Sequence, residues 1–139
     1  MNWVVAGLIG GVGAFFSDYV MWSKVVNKGL EPFGTFPPTP EAGKKMMAAN
    51  LPKAALESLV FGVLLSLFYG RFKGGLWVQG GGILAGMEFA TILWLSTTAL
   101  LTISSGIWFD KARPLLRAQF WASLVRMNVA GLLIGLLQR

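Results

Sequence analysis

The chain has 139 residues, of which 55% are hydrophobic and 13% are charged, and its formal net charge is +6. Soluble domains contain about 25% charged residues, so this composition indicates a membrane protein that forms a single domain. The sequence contains neither cysteine nor histidine. Disulfides, cysteine nucleophiles, Cys/His zinc sites and a Ser-His-Asp triad are therefore excluded.

Four long apolar segments, each about the length that crosses a bilayer, dominate the sequence. We expect membrane spans at about 3–22, 54–70, 76–104 and 115–137. Tryptophan and tyrosine side chains lie at or near the span ends, as an interfacial aromatic belt requires. The expected fold is an all-α integral membrane protein, an antiparallel bundle of four transmembrane helices that forms one domain over residues 1–139.

The connection between the first two spans, 23–53, is the only long one, and five of the six prolines lie in it. These prolines predict an extended, turn-rich stretch at 31–38. Thr39 followed by Pro40 is a favourable helix start, with threonine as the N-cap and proline at the first helical position. We expect a short helix at 41–50 that lies on the cytoplasmic membrane surface.

The distribution of basic residues predicts the orientation of the chain. Loops one and three carry eight lysines and arginines, and the opposite side carries three. The eight are Lys24, Lys28, Lys44, Lys45, Lys53, Lys111, Arg113 and Arg117; the three are Arg71, Lys73 and Arg139. Because basic loops remain inside, we expect loops one and three in the cytoplasm and both termini outside a cytoplasmic (inner) membrane. The same placement beside the spans explains the positive charge without nucleic-acid binding.

Glu88 and Arg126 lie inside the third and fourth spans, where a charge is unfavourable by roughly 2.5–3.5 kcal/mol. Each lies 11 residues from a span start, Trp77 or Leu115, which is ~16 Å along a helix. Since the two spans are consecutive and antiparallel, their depths coincide, and the pattern predicts a Glu88–Arg126 ion pair. Such a pair either sets the helix register or serves a function.

Two further carboxylates lie toward the cytoplasmic ends of the first two spans. Asp18 shares a helix face with small residues and has no oppositely charged neighbour one turn away. It is expected to point into a helix contact and to pair with Arg117 or a loop-one lysine, or to cap backbone groups at the end of the first span. Glu57 could join it in an acidic vestibule. Alternatively, Lys53, four residues earlier on the same helix face, pairs with Glu57 at the membrane interface.

The third and fourth spans each present a polar face and a face of small residues. The expected polar interior comprises Asp18, Glu88, Thr91, Thr98, Gln119, Ser123 and Arg126. The small-residue faces, which allow close helix approach, comprise Gly82, Gly86, Ala90, Gly131 and Gly135. Because each of these two helices has two faces unsuited to contact with lipid, the pattern predicts a homo-oligomer or a partner membrane subunit. The alternative is that the glycine faces pack inside one chain.

Three functions fit these features. The first is a non-catalytic accessory, assembly or binding subunit of the membrane, because no catalytic set of residues is visible. The second is a small proton- or cation-coupled transporter or channel that uses Glu88 and Arg126, and the third is a lipid-modifying membrane enzyme with acid–base carboxylates. No metal site or cofactor is predicted. The six tryptophans and ten phenylalanines would suit a bound lipid, isoprenoid or pigment, although packing also accounts for them.

Overall fold

The protein is described here by a computed structural model that covers residues 2–30 and 39–138. Six α-helices follow one another in this part of the chain: α1 (Trp3–Met21), α2 (Asn27–Leu30), α3 (Pro40–Phe72), α4 (Ile83–Trp94), α5 (Leu100–Trp108) and α6 (Arg113–Leu137). π-helical turns join α1 to α2 and α4 to α5. The result is four helical rods that are long and apolar enough to span a membrane. The expected extended stretch at 31–38 lies outside the described residues.

The second rod differs from the prediction of a separate surface helix and a short span. Residues Pro40–Phe72 form one continuous helix of 33 residues that passes through Pro52. Pro52 and Ala48 are both exposed, so the carbonyl that loses its partner at the proline can be solvated. The predicted start is confirmed: the Thr39 hydroxyl accepts a hydrogen bond from the Ala42 amide at 3.1 Å. At 1.5 Å per residue the helix is about 50 Å long, which exceeds the ~30 Å thickness of a bilayer's hydrocarbon core.

The third rod begins seven residues later than predicted, at Ile83, and continues to Trp108. Gly80, Gly81 and Gly82 all have positive φ angles between 74° and 90°. This backbone conformation is open to glycine but not to a right-handed helix. Residues 76–82 therefore form a connection rather than the first turns of a span. For the fourth span, the limits of α6 agree with the prediction within two residues.

The helices pack in the lateral order α3–α1–α6–α4, which is not their order in the chain. α1 lies between α3 and α6, and α6 also packs along α4. Although α3 and α4 are consecutive, they approach each other much less closely. Their main side-chain contact is the edge-to-face pair of Tyr69 and Phe89, with ring centroids 5.7 Å apart.

Small residues bring α1 and α3 into backbone contact. A Cβ atom added at Gly7 would lie 2.6 Å from the Cα of Val63, and one added at Gly11 would lie 2.5 Å from the Ser58 carbonyl oxygen. No side chain larger than hydrogen fits at these positions. The close approach of the two helices follows the packing rule for small residues in membranes.

Hydrogen bonds join α1, α3 and α6 at the end of the bundle that carries the N-terminus. The Ser66 hydroxyl donates to the Trp3 carbonyl at 2.6 Å, and Gln138 Nε2 donates to the Ser66 carbonyl at 3.0 Å. Lys73 Nζ donates to the Gln138 carbonyl at 3.2 Å. Because these bonds connect the start of one helix to the end of two others, they confirm that α1 runs antiparallel to α3 and α6.

Candidate functional site

Three charged side chains from three helices meet in the middle of the bundle: Asp18 of α1, Glu57 of α3 and Arg126 of α6. They are called the charged cluster below. Arg126 Nη2 lies 2.7 Å from each carboxylate oxygen of Glu57. Arg126 Nε lies 3.2 Å from Oδ2 of Asp18, within ion-pair range, although its N–H makes no directed hydrogen bond in the described part of the chain.

The exposure of the three side chains rises from Arg126 to Glu57. The Arg126 side chain is 20% exposed, that of Asp18 is 36% exposed and that of Glu57 is 59% exposed. The guanidinium also lies 4.5 Å from the centroid of the Phe61 ring, a cation–π distance. Two carboxylates thus share one guanidinium, and the more exposed carboxylate faces away from the protein interior.

The expected Glu88–Arg126 ion pair is wrong, because Arg126 pairs with Asp18 and Glu57 instead. The Glu88 carboxylate accepts two backbone hydrogen bonds, from the amides of Trp77 at 2.7 Å and Val78 at 2.8 Å. These two hydrogen bonds hold the connection at 76–82 against the first turns of α4.

The late start of α4 explains why the two depths do not match. Glu88 is only five residues beyond Ile83, or about 8 Å along the helix, whereas Arg126 is 13 residues beyond Arg113. Counting from Trp77 placed Glu88 near the middle of its helix. The structure places it near the end, where its partners are loop amides.

Two of the other predicted polar residues form hydrogen bonds between α4 and α6. The Thr91 hydroxyl donates to Asn128 Oδ1 at 3.1 Å. The Trp94 indole N–H donates to the Ser123 hydroxyl at 3.0 Å. These bonds connect the two helices directly and do not reach the charged cluster.

The remaining two predicted polar residues have no such role. Thr98 is half-buried in the π-helical turn between α4 and α5, and its carbonyl accepts a hydrogen bond from Thr102. Gln119 is exposed near the start of α6. The structure therefore does not assemble a continuous polar stripe from Glu88, Thr91 and Thr98.

The predicted small-residue faces pack against each other inside the chain. A Cβ atom added at Gly86 would overlap the Gly131 carbonyl oxygen and lie 2.8 Å from the Cα of Gly135. Ala90, next on the same α4 face, is fully buried, and Gly82 provides a carbonyl oxygen that blocks a Cβ at Gly135. These faces pack inside one chain, which is the second of the two interpretations given for them. They are therefore not open to another chain.

For Glu57 the sequence offers two alternatives, an acidic vestibule with Asp18 and an interfacial pair with Lys53. The structure places it with Asp18, since both carboxylates pair with Arg126. With a separate surface helix at 41–50 and a span that begins at residue 54, Glu57 is expected in the first turn of the span, within reach of Lys53. In the continuous helix, Glu57 is 17 residues beyond Pro40 and reaches the depth of Arg126. The useful signal is the regular spacing of Ser58, Gly62 and Ser66, which identifies the packed face next to Glu57.

The exposed side of α3 continues from Glu57 as an apolar row at steps of three and four residues. Val60, Leu64 and Phe68 are between 45% and 50% exposed and lie on the same helix face as Glu57. This row, with Glu57 at its end, is called the α3 stripe below. Lipid can cover the apolar residues, but a half-exposed carboxylate within a long apolar helix needs water, a cation or a polar partner.

The chemistry available to the charged cluster is electrostatic. Two acidic oxygen groups near one guanidinium leave an excess of negative charge that can bind a cationic group. Within residues 2–30 and 39–138, no three acidic side chains converge as a metal site would require. Comparison with protein-family models, with curated proteins and with solved structures found no match to this chain.

Proposed function

We propose that this protein is a non-catalytic membrane subunit that binds a helix of another membrane protein along the α3 stripe. One observation carries the proposal. The Glu57 side chain is 59% exposed, although Glu57 belongs to the charged cluster and lies within a helix that is long and apolar enough to span a membrane. A basic residue on the partner helix, at the depth of Glu57, would neutralise the excess carboxylate. The apolar row next to Glu57 supplies the rest of the helix contact.

The proposal includes a location and an orientation. The chain lies in a cytoplasmic (inner) membrane, with loops one and three inside and both termini outside, because eight basic residues flank those loops and three flank the other side. Lys24 and Lys28 of the first connection line the same groove as Arg117 at the start of α6. The basic residues of loops one and three thus belong to one end of the bundle, which supports the assignment.

Site-specific photocrosslinking in native membranes tests the proposal. A benzoylphenylalanine at Leu64 probes the α3 stripe, and the same residue at Leu101, which is 69% exposed on α5, is the matched control. We expect an adduct with one membrane polypeptide from Leu64 only, and its loss in a Glu57→Gln background. After co-expression of that polypeptide, replacing its basic residue should abolish co-purification.

The other outcomes contradict the proposal. Adducts of Leu64 with lipid alone would mean that the α3 stripe faces the bilayer. Adducts of twice the 15.0 kDa chain mass would identify a homo-oligomer rather than a partner subunit. A polypeptide adduct that persists unchanged with Glu57→Gln would remove the charged cluster from the interaction.

A cation-coupled transporter or channel is the second candidate, and the excess negative charge of the cluster favours it. Its pathway would involve Asp18 and Glu57 rather than Glu88, whose carboxylate is occupied by the Trp77 and Val78 amides. Cation or proton flux into liposomes that Glu57→Gln abolishes and Glu41→Gln leaves intact would support this candidate. Absence of flux with every tested monovalent cation would contradict it.

A further inference from the structure

A groove lined with basic residues lies at the end of the bundle that carries loops one and three. Lys24 from the turn after α1, Lys28 from α2 and Arg117 from α6 surround a space of about 460 Å³. Trp121, whose side chain is 57% exposed, forms part of its wall. Because these residues come from two separate helical rods, the fold itself brings the three positive charges together.

A second groove adjoins the first between α5 and α6. Its volume is about 440 Å³, and it is lined by Ile103, Leu116 and Phe120 together with Arg113, which is paired with Asp110. Arg117 and Trp121 line both grooves. The two grooves therefore share one wall, with an arginine and an indole at the junction.

The charges of the basic groove are not neutralised by the described carboxylates. Ion pairs in residues 2–30 and 39–138 involve Arg113 with Asp110 and Arg126 with Asp18 and Glu57. Lys24, Lys28 and Arg117 are exposed and have no described carboxylate within 4.0 Å. An anion that enters the groove meets three cationic groups.

We propose that the two grooves together bind an anionic glycerophospholipid. Its phosphodiester lies among Lys24, Lys28 and Arg117, and one acyl chain follows Ile103 and Leu116. Basic pockets between membrane helices recognise lipid phosphates in this way, and a tryptophan at the junction suits the boundary between headgroup and hydrocarbon. This site is independent of the partner helix proposed for α3, since it lies on α2, α5, α6 and the turn after α1.

Lipid binding to the purified full-length protein in detergent tests the proposal. Native mass spectrometry counts phosphatidylglycerol and phosphatidylcholine molecules retained by the parent and by Lys24→Gln/Lys28→Gln/Arg117→Gln. The matched control removes three positive charges from the first half of α3 instead, as Lys44→Gln/Lys45→Gln/Lys53→Gln. Each basic residue at a membrane surface is worth about a fivefold change in binding.

The proposal expects one retained phosphatidylglycerol in the parent and the control, and at least about tenfold weaker retention in the groove variant. Single substitutions, expected to weaken binding about fivefold each, give the answer if the triple variant does not fold. Equal loss in the control would show general charge attraction and overturn the site. Equal retention of phosphatidylcholine, or complete displacement of lipid by inorganic phosphate, would also overturn it.

Discussion

Arg126 Nη2 is equidistant, at 2.7 Å, from the two carboxylate oxygens of Glu57, a residue 69 positions away in the chain. The same guanidinium lies 3.2 Å from Asp18 through its Nε. One side chain of α6 thus forms ion pairs with side chains of both α1 and α3. This three-helix contact compensates carboxylates that would otherwise be unpaired charges within long apolar helices.

A double-mutant cycle on Glu57→Gln and Arg126→Gln should reveal a strong coupling. We expect an interaction energy of about 1–3 kcal/mol in the free energy of unfolding, because breaking one partner leaves the other charge without compensation. Thermal or SDS-induced unfolding in detergent measures it. The control cycle, Glu88→Gln with Arg126→Gln, should be additive within about 0.5 kcal/mol. Coupling in the second cycle rather than the first would contradict the pairing.

Glu88→Gln should loosen the connection at 76–82. A glutamine amide offers one acceptor oxygen where the carboxylate offers two, and hydrogen bonds to a charged acceptor contribute about 1.5–3 kcal/mol each. We expect faster hydrogen exchange at the Trp77 and Val78 amides, measured by mass spectrometry. Glu41→Gln, the same change on an exposed carboxylate, is the control. Unchanged exchange at both amides would show that Glu88 does not hold this segment.

Gly86→Ala should separate α4 from α6. The added methyl group would overlap the Gly131 carbonyl and lie 2.8 Å from the Cα of Gly135, so two backbones must move. We expect a loss of about 2–3 kcal/mol in unfolding free energy, at the upper end for overpacked cores. Gly74→Ala, where nothing lies within 4 Å of an added Cβ, should leave the melting temperature unchanged. Similar melting temperatures for both variants would refute the tight contact.

Tyr69→Phe should not destabilise the protein. Tyr69 is 1% exposed, and its hydroxyl has no hydrogen-bond partner among the described residues. A buried unsatisfied polar group is unfavourable by about 1–3 kcal/mol, so its removal should raise the melting temperature or leave it unchanged. Tyr19→Phe, at a side chain that is 53% exposed, provides the comparison. A clearly lower melting temperature for Tyr69→Phe alone would mean that the hydroxyl is bound.

The sequence predicted several features because they depend on neighbouring residues in the chain. Four apolar helices, the N-cap at Thr39 and the limits of α6 within two residues are confirmed. The start of α4 was missed because mean hydropathy does not register backbone conformation. The three glycines before Ile83 are compatible with an apolar span, but their positive φ angles prevent a helix there.

The partners of the charged residues could not be predicted from their positions along the helices. Counting residues from the start of a helix gives the depth of a side chain in the bundle. For Glu88 this count gives a wrong depth, because the helix starts later than the sequence predicts. Even a correct depth leaves open which helix lies beside which. An arginine side chain is long enough to reach carboxylates on either neighbouring helix, so its partners depend on the lateral order.

The sequence by itself determined that the chain forms four long apolar helical rods and where most of their apolar surface lies, because hydrophobic runs and caps act locally. Only the tertiary structure decided the lateral order α3–α1–α6–α4. This order depends on which glycine faces pack together, and those faces are far apart in the sequence. That order brings Asp18 and Glu57 to Arg126 and leaves Glu88 to the loop amides. It also joins Lys24 and Lys28 with Arg117 at one end of the bundle, because α1 packs directly against α6.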